Sequence, residues 1–381
     1  MKVAIVHPWF LEAGGGEKVV EALAEMYPEA DIFTLAADPR VVSTRLQGRR
    51  IHTSPLNRLL VSRFRYKRIN FSPLFPWAVE RMDLSDYELV ISSCGPAVMG
   101  VNVSPDSLHV VYCHTPQRAW WDLYAARQAT MSAITKNVFV ASSVFIRNWE
   151  FAAMQRVDQV ISNSKYVARR VSRYFCRNST VVHPPVNTSM GYLSHRPGNY
   201  YLALSRLDID KRLDLAILAC NKLGRRLLVA GSGRSEKQLK SIAGPTIEFL
   251  GYVPDSACPD LFANCRALIF PADEDFGIVP VEAQAFGRPV IAYGHGGSLE
   301  TVRVGDPDDR RNTGVFFYEQ TVEAVTSAIE RFERIEANLN PVEIQRHARK
   351  FDESVFRAEM SRVIRLCHHN SDREHYEPRA V

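Results

Sequence analysis

The sequence has no uninterrupted apolar run of about 18 residues, so it predicts no membrane-spanning helix. Its first residues form a short apolar run that ends in glycines and charged residues, which indicates a first strand and not a signal peptide. The seven cysteines are scattered and include no CxxC pair. We therefore expect reduced thiols in a cytoplasmic protein, and neither a disulfide framework nor a zinc site.

Two further signals are missing, and each disfavours a class of function. The glycines after the first strand lack the GxGxxG spacing of dinucleotide-binding folds, and this disfavours an oxidoreductase. The adjacent histidines His368 and His369 have no third ligand near them in the sequence, so we predict no metal site there.

The chain of 381 residues exceeds the usual limit of about 250–300 residues for a single core, so we expect two domains. In both halves, short apolar runs alternate with helical patterns, as in buried parallel strands joined by crossover helices. A stretch rich in Pro, Gly, Ser and Asn, residues 183–201, interrupts this alternation. The pattern predicts an α/β protein with two doubly wound parallel-sheet domains that face a cleft.

Ligands in such folds bind at the carboxyl ends of strands, and the first half of the chain offers two candidate turns there. The first strand leads through Gly14–Gly16 into a helix. Glycine permits close backbone approach and a helix N-terminus favours an anion, so Gly15 and Gly16 are candidates for phosphate contact; a loop without a ligand is the alternative. His114 ends another apolar strand before a polar and aromatic turn, and it is either a structural histidine or a functional one.

The second half offers cationic and glycine-containing turns at strand ends. Arg206 and Lys211 follow its first strand, and this pairing suits a diphosphate, with a solvated basic loop as the alternative. Gly231 lies in a Gly-x-Gly turn after the next strand, and the backbone at Val253 ends a third strand where a base edge is expected.

The segment Glu274–Ala292, "EDFGIVPVEAQAFGRPVIA", carries the carboxylates Glu274 and Glu282 around a glycine turn and the start of a helix. Backbone N–H groups near residues 277–279 are predicted to point at an anion. Carboxylates accept hydrogen bonds in pairs, which suits vicinal sugar hydroxyls. For Glu282, a favourable position near the helix N-terminus is the alternative explanation.

Eight basic residues and no acidic one occur between Arg45 and Arg68, and aromatic residues continue to Trp77. This stretch is either a solvated basic face or a patch that binds anionic lipid headgroups, with aromatic rings in the interface. Nucleic acid is a weaker alternative because the sequence contains no recognisable nucleic-acid-binding motif. The basic residues are Arg45, Arg49, Arg50, Arg58, Arg63, Arg65, Lys67 and Arg68.

The spacing of Glu274 and Glu282, with seven residues between them, resembles the signature of retaining GT-B glycosyltransferases of family GT4, the group 1 glycosyl transferases. The stretches "HTPQRAWWDLY" and "AGGGEKVV" resemble the WbaZ-like bacterial mannosyltransferases of that family. The resemblance covers nearly the whole chain. It implies an acceptor-side Rossmann-like domain at 1–190, a donor-binding Rossmann-like domain at 191–351, and a C-terminal segment, 352–381, whose helix crosses back to the first domain.

The same resemblance implies roles for individual residues. Glu274 would bind hydroxyls of the donor hexose, and Glu282 would hold the nucleotide ribose. Arg206 and Lys211 would neutralise the leaving diphosphate, and His114 would lie beside the sugar near its anomeric carbon. The catalytic group is thus His114, Glu274, Arg206 and Lys211. The further donor contacts are Gly15, Gly16, Gly231, Val253, Phe276, Gly277 and Ile278.

The activity implied by the resemblance is retaining transfer of a hexose without a metal. GDP-mannose is the expected donor and a polyprenyl-diphosphate-linked glycan the expected acceptor, in the assembly of bacterial O-antigen, capsule or exopolysaccharide. With the family in view, residues 45–77 favour peripheral contact with the anionic inner face of the cell membrane. A UDP-hexose donor and a sugar-nucleotide epimerase stay open as alternatives. A glycoside hydrolase would not need the Arg–Lys pair, and a binding protein would show no transfer.

Overall fold

Parallel β-sheet is the frame of both halves of the chain. The structure is a computed structural model that describes residues 1–12, 14–62, 71–95, 97–129, 131–195 and 198–374. One unit comprises Met1–Pro185 together with the chain from Phe356 onward, and the other comprises Val186–Val355. We call them unit 1 and unit 2. In the described residues, no helix combines the length and the apolar character needed to cross a membrane.

The secondary structure alternates throughout, as the sequence predicts. The strands are β1 (Val3–Phe10), β2 (Asp31–Ala37), β3 (Ile51–Thr53), β4 (Asp83–Leu84), β5 (Leu89–Cys94), β6 (Asn102–Val103), β7 (Leu108–Cys113), β8 (Gln159–Ser162), β9 (Thr180–Val181), β10 (Tyr201–Leu204), β11 (Leu227–Ala230), β12 (Ile247–Gly251), β13 (Leu268–Phe270), β14 (Val290–Tyr293) and β15 (Gly314–Phe317). The α-helices are α1 (Gly15–Met26), α2 (Asn57–Val61), α3 (Phe75–Glu80), α4 (Tyr124–Ala129), α5 (Ala133–Gln155), α6 (Lys165–Phe175), α7 (Leu213–Leu223), α8 (Glu236–Ser241), α9 (Cys258–Asn264), α10 (Ile278–Ala285), α11 (Ser298–Thr301), α12 (Val322–Ile335), α13 (Pro341–Ala348) and α14 (Glu353–Glu374).

The main sheet of unit 1 has the strand order β3-β2-β1-β5-β7-β8-β9, and all of its pairs are parallel. Its central strands are buried on both faces, which explains why they read as continuous apolar runs. The order reverses between β1 and β5, so their carboxyl ends flank the switch point where open α/β sheets bind ligands.

The sheet of unit 2 has the order β12-β11-β10-β13-β14-β15, again with parallel pairs. Here the order reverses between β10 and β13. The turns that leave these two strands therefore flank the switch point of unit 2. Both sheets confirm the predicted fold class of two doubly wound α/β domains.

The C-terminal helix α14 leaves unit 2 and packs on unit 1. Its start is fixed by Asp352, whose Oδ1 accepts a hydrogen bond from the N–H of Ser354 at 3.0 Å. Phe356 and Met360 are fully buried in the core of unit 1, and the ring of Phe356 lies 5.8 Å from that of Tyr112. The return of the C-terminal helix to the first domain is thus confirmed.

Candidate active site

Lys211 lies at the switch point of unit 2, in the turn that leaves β10. Its Nζ is 2.8 Å from Oε1 of Glu274, which follows β13, and 3.0 Å from Oδ2 of Asp210. The side chain is only 14% exposed. Burial opposes the charge, but the two carboxylates outweigh it and raise the pKa of Lys211 above its usual value. The structure thus holds a charged, largely desolvated lysine against the predicted sugar-binding carboxylate.

Asp210 was not predicted as a site residue, because the Asp-Ile-Asp run at 208–210 carries no signature of its own. Burial acts to raise the pKa of Asp210, but Lys211 overcomes this effect and lowers it. The other predicted cation, Arg206, is 57% exposed and lies 3.5 Å from Asp208. Both predicted cations of this loop therefore have a carboxylate beside them.

The backbone of the Glu274 turn is held by a glycine loop at residues 294–297 that follows β14. The N–H of Gly297 donates to the carbonyl oxygen of Glu274 at 2.8 Å. A Cβ on Gly297 would collide with the backbone of Phe276, and a Cβ on Gly296 would collide with the carbonyl of Glu274. Sequence reasoning missed this loop, although paired glycines at the carboxyl end of a strand were a usable signal.

Helix α10 begins directly after this turn. Gly277 precedes it with φ of 86°, a conformation that favours glycine. The leading N–H groups, from Ile278 onward, have no partner inside the helix, so an anion is favoured there. Phe276 is 3% exposed, which leaves only its backbone for a ligand. Glu282 is the fifth residue of α10 and half-buried, so it does not cap the helix.

Gly231 and Val253 have packing roles in unit 2. Gly231 has φ of 133°, and a Cβ there would collide with the carbonyl oxygen of Ser205. Its N–H donates to the carbonyl of Gly251 at 2.7 Å. Val253 packs partly buried against the core. Close contact between neighbouring turns therefore accounts for this glycine without a ligand.

In unit 1, His114 follows β7 and contacts Ser93 at the end of β5. Its Nε2 lies 2.8 Å from Oγ of Ser93, and the side-chain amide of Asn163 donates to its carbonyl at 2.9 Å. Burial and the nearby imidazole of His7 lower the pKa of His114 to about 3. His114 is therefore held as a neutral imidazole.

His7 completes this cluster and was not predicted as a site residue. Its Nδ1 lies 3.3 Å from Oγ of Ser93, and its Nε2 lies 3.9 Å from Oε1 of Glu17. A Cβ on Gly16 would lie 3.3 Å from His7 and 3.6 Å from His114. The predicted glycine loop, of which Gly15 begins helix α1, thus adjoins the imidazoles. A polar residue late in a buried strand was the signal for His7.

The turn after His114 is anchored by helix α6. Arg170, which is 6% exposed, donates to Oγ1 of Thr115 at 2.9 Å and to the carbonyl of Pro116 at 3.1 Å. It also pairs with Asp122, whose carboxylate accepts from the hydroxyl of Tyr174. The polar residues of this turn therefore hold its backbone in place.

The basic stretch at 45–77 has partners inside unit 1 in its described part. Arg45 lies within 3.9 Å of Glu21 and 3.5 Å of Glu25, and Arg50 lies 3.5 Å from Asp31. Phe75 is 2% exposed and Trp77 is 49% exposed, so the expectation of an interfacial ring is wrong for Phe75. Arg63, Arg65, Lys67 and Arg68 lie outside the described residues.

A metal-binding cluster is not found in the described parts of the chain: no group of three or more His, Cys, Asp or Glu side chains could hold an ion.

Several known proteins are similar to this chain. Residues 13–190 match the profile described as Glycosyltransferase Family 4, and residues 193–351 match Glycosyl transferases group 1. The α-1,3/1,6-mannosyltransferase ALG2 of Kluyveromyces lactis is 25% identical over 79% of this chain and 71% of its own length. The Schizosaccharomyces pombe protein of the same name is 24% identical over 84% and 74%.

A solved structure shows the same fold. Anabaena Alr3699/HepE, crystallised with UDP-glucose, superposes with a TM-score of 0.69 at 16% identity, over 96% of this chain and all of that one. Family profiles match both halves of the chain, and both units have the parallel sheets that such proteins share. The chain is therefore a glycosyltransferase of family GT4 with the GT-B fold.

Proposed function

We propose that this glycosyltransferase transfers mannose from GDP-mannose, with retention, to a lipid-linked oligosaccharide in the assembly of a bacterial polysaccharide, as a WbaZ-like enzyme. The Lys211–Glu274 contact at the switch point of unit 2 is the observation that carries the donor site. The mannosyltransferase names of the two relatives support mannose. The GDP base and the bacterial pathway follow from the resemblance of the sequence motifs.

Retention would proceed by displacement on one face of the sugar. The bond between the anomeric carbon and the diphosphate oxygen breaks, and the acceptor oxygen bonds to that carbon from the same face. The acceptor proton passes to the departing diphosphate oxygen. Lys211 and Arg206 stabilise the negative charge that develops there. With these two cations, the step needs no metal ion. The first N–H groups of α10 add a fixed dipole.

Glu274 and Glu282 supply the contacts that recognise hydroxyl groups. Glu274 has one oxygen on Lys211, which orients the lysine. Its other oxygen is assigned to the hexose by the family resemblance. Glu282 is assigned to the ribose. His114 is assigned to the hexose, and Gly15 and Gly16 to the diphosphate, by the family resemblance.

A panel of nucleotides tests the donor. We expect GDP-mannose and GDP to raise the melting temperature of the protein in EDTA, because a ligand that binds only the folded state stabilises it. UDP, UDP-glucose and UDP-galactose serve as matched controls. Stabilisation by the UDP compounds alone would leave the glycosyltransferase assignment intact and overturn GDP-mannose as the donor.

The lipid-linked acceptor implies contact with a membrane surface, and we propose that residues 45–77 provide it. Reversing the charges of Arg63, Arg65, Lys67 and Arg68 to Glu should abolish cosedimentation with vesicles that contain anionic lipid. Vesicles of neutral lipid are the control for charge. Unchanged sedimentation of the charge-reversed protein would rule out this stretch as the membrane contact.

A further inference from the structure

The carboxyl ends of β1, β5 and β7 bring three polar side chains into a row in unit 1. Ser93 stands in the middle, with its Oγ 3.3 Å from Nδ1 of His7 and 2.8 Å from Nε2 of His114. Glu17 of helix α1 lies at the far end, 3.9 Å from Nε2 of His7. His7 and Ser93 are buried, at 5% and 0% exposed. The row thus links the glycine loop to His114.

A hydroxyl group has one proton, so Ser93 cannot donate to both imidazoles. The proton position is set from the Glu17 end. At 3.9 Å the carboxylate is beyond hydrogen-bond range but within ion-pair range, and its charge favours a proton on the nitrogen that faces it. A neutral His7 therefore carries its proton on Nε2, and its Nδ1 accepts from Ser93.

The direction of this bond fixes the next one. Because the proton of Ser93 points to His7, Oγ of Ser93 accepts from the Nε2–H of His114. The neutral state of His114 agrees with its low pKa of about 3, caused by burial and by His7. Its Nδ1 then has a lone pair and hydrogen bonds to no side chain or backbone group in the described part of the chain.

We propose that Glu17, His7 and Ser93 are positioning residues that hold His114 as its Nε2–H tautomer and leave Nδ1 to accept a hydrogen bond from a sugar hydroxyl. The tautomer follows from unit 1 alone, whereas the identification of the hydroxyl as part of a sugar rests on the proposed function. Gly16 belongs to the same arrangement, since a Cβ there would crowd the imidazole of His7 at 3.3 Å and contact that of His114 at 3.6 Å.

The chain of donors and acceptors predicts that the tautomer preference is lost when the charge of Glu17 is removed. In Glu17→Gln, the side-chain amide can either donate to Nε2 of His7 or accept from it, so the proton of His7 is no longer confined to Nε2. Where Ser93 accepts from Nδ1–H of His7, it donates to Nε2 of His114, which leaves that part of the population as the Nδ1–H tautomer of His114. Glu21→Gln, on the same helix, is the matched control because Glu21 faces Arg45.

Long-range 1H–15N correlation spectra of the full chain labelled with 15N-histidine measure the tautomers. The spectra are recorded at pH 8, where an imidazole of ordinary pKa is neutral. The variants His7→Asn and His114→Asn assign the two signals. We expect His114 to show a protonated Nε2 in the wild type and in Glu21→Gln, and a mixture that includes a protonated Nδ1 in Glu17→Gln. Ser93→Ala should give a mixture of both tautomers.

A protonated Nδ1 of His114 in the wild type, or a Glu17→Gln spectrum identical to that of the wild type, would overturn the proposal. Activity gives a second readout that a packing role would not share. Glu17→Gln should lower kcat for transfer while the Kd for GDP stays unchanged. Failure of the nucleotide panel would overturn the proposed donor and leave the tautomer result standing, so the two failures are distinguishable.

Discussion

At the scale of single residues, the central feature is a lysine shared by two carboxylates. The charged ammonium group of Lys211 pairs with both Glu274 and Asp210. A diphosphate that approaches this lysine competes with those carboxylates, which makes the strength of nucleotide binding depend on both of them.

Glu274→Gln separates binding of the nucleotide from recognition of the sugar. The substitution removes a charge from Lys211, so the affinity for GDP should be unchanged or higher. A hydrogen bond to a charged group contributes about 1.5–3 kcal/mol, so the advantage of GDP-mannose over GDP should shrink by about 10-fold or more. Isothermal titration calorimetry with both ligands measures this ratio.

The matched control is Glu248→Gln, since Glu248 is an exposed residue of the edge strand β12 in the same unit and pairs with Arg226 at 3.0 Å. Its ratio of affinities should equal that of the wild type. Equal ratios in Glu274→Gln and in the wild type would show that Glu274 does not contact the sugar.

The residues of the site were partly predictable from the sequence. Lys211 and Glu274 were found because they follow apolar strands, and the rule of strand ends applies without knowledge of side-chain positions. Asp210 was not, because its contact with the neighbouring Lys211 has no sequence signature. His7 was not, because its role depends on which strand ends meet at the switch point of unit 1. The strand order that decides this is a non-local property of the chain.

At the scale of elements, the loop at 294–297 sets the conformation of the Glu274 turn by close backbone contact. Gly297→Ala would place a Cβ against the backbone of Phe276, and overpacking of this kind costs about 1–3 kcal/mol. We expect a loss of unfolding free energy in that range together with weaker binding of GDP-mannose. Urea denaturation and calorimetry measure the two effects.

Gly305→Ala is the control for this substitution. A Cβ on Gly305 would lie 3.5 Å from the nearest atom, Oδ1 of Asn312, which is ordinary contact. Its stability should stay within about 0.5 kcal/mol of the wild type. A Gly297→Ala protein as stable as this control would contradict the account of the glycine loop.

Helix α5 shows where prediction from the sequence failed at this scale. It spans 23 residues, and the sequence analysis did not identify it. Val138, Phe145 and Phe151 are apolar but exposed. Because apolar residues occur on more than one side of α5, the sequence does not show the 3.6-residue spacing of an amphipathic helix. By contrast, α6 (Lys165–Phe175) has a strongly amphipathic pattern, which indicates a helix from the sequence alone.

At the scale of the whole molecule, buried neutral histidines make the fold sensitive to acid. Burial lowers the pKa of His109 to about 4, and the same cause with Lys350 lowers that of His347 to about 4. The pKa of His114 is lowered as well, to about 3. Because the unfolded chain binds these protons near pH 6.5, the free energy of unfolding should fall as the pH drops from about 6.5 to 4.

The buried carboxyl of Glu150 changes the free energy of unfolding with pH in the opposite direction. Burial raises its pKa to about 7, so its contribution to stability falls as the pH rises from about 4.5 to 7. Three histidines outweigh one carboxyl, and net acid destabilisation is the expected result. In His347→Gln the pH dependence of chemical denaturation should be less steep between pH 6.5 and 4. An unchanged slope would show that His347 is not held neutral in the folded protein.

The measurement that tests the central claim most directly is the affinity of GDP-mannose for the wild type, Lys211→Met and Lys240→Met in EDTA. Lys240 is a matched control because it pairs with Glu236 at 2.7 Å on the surface of the same unit. We predict a loss of about 10- to 100-fold in Lys211→Met, equivalent to one charge-assisted contact, and no change in Lys240→Met. Equal affinity in all three proteins would contradict a donor site at the Lys211–Glu274 pair.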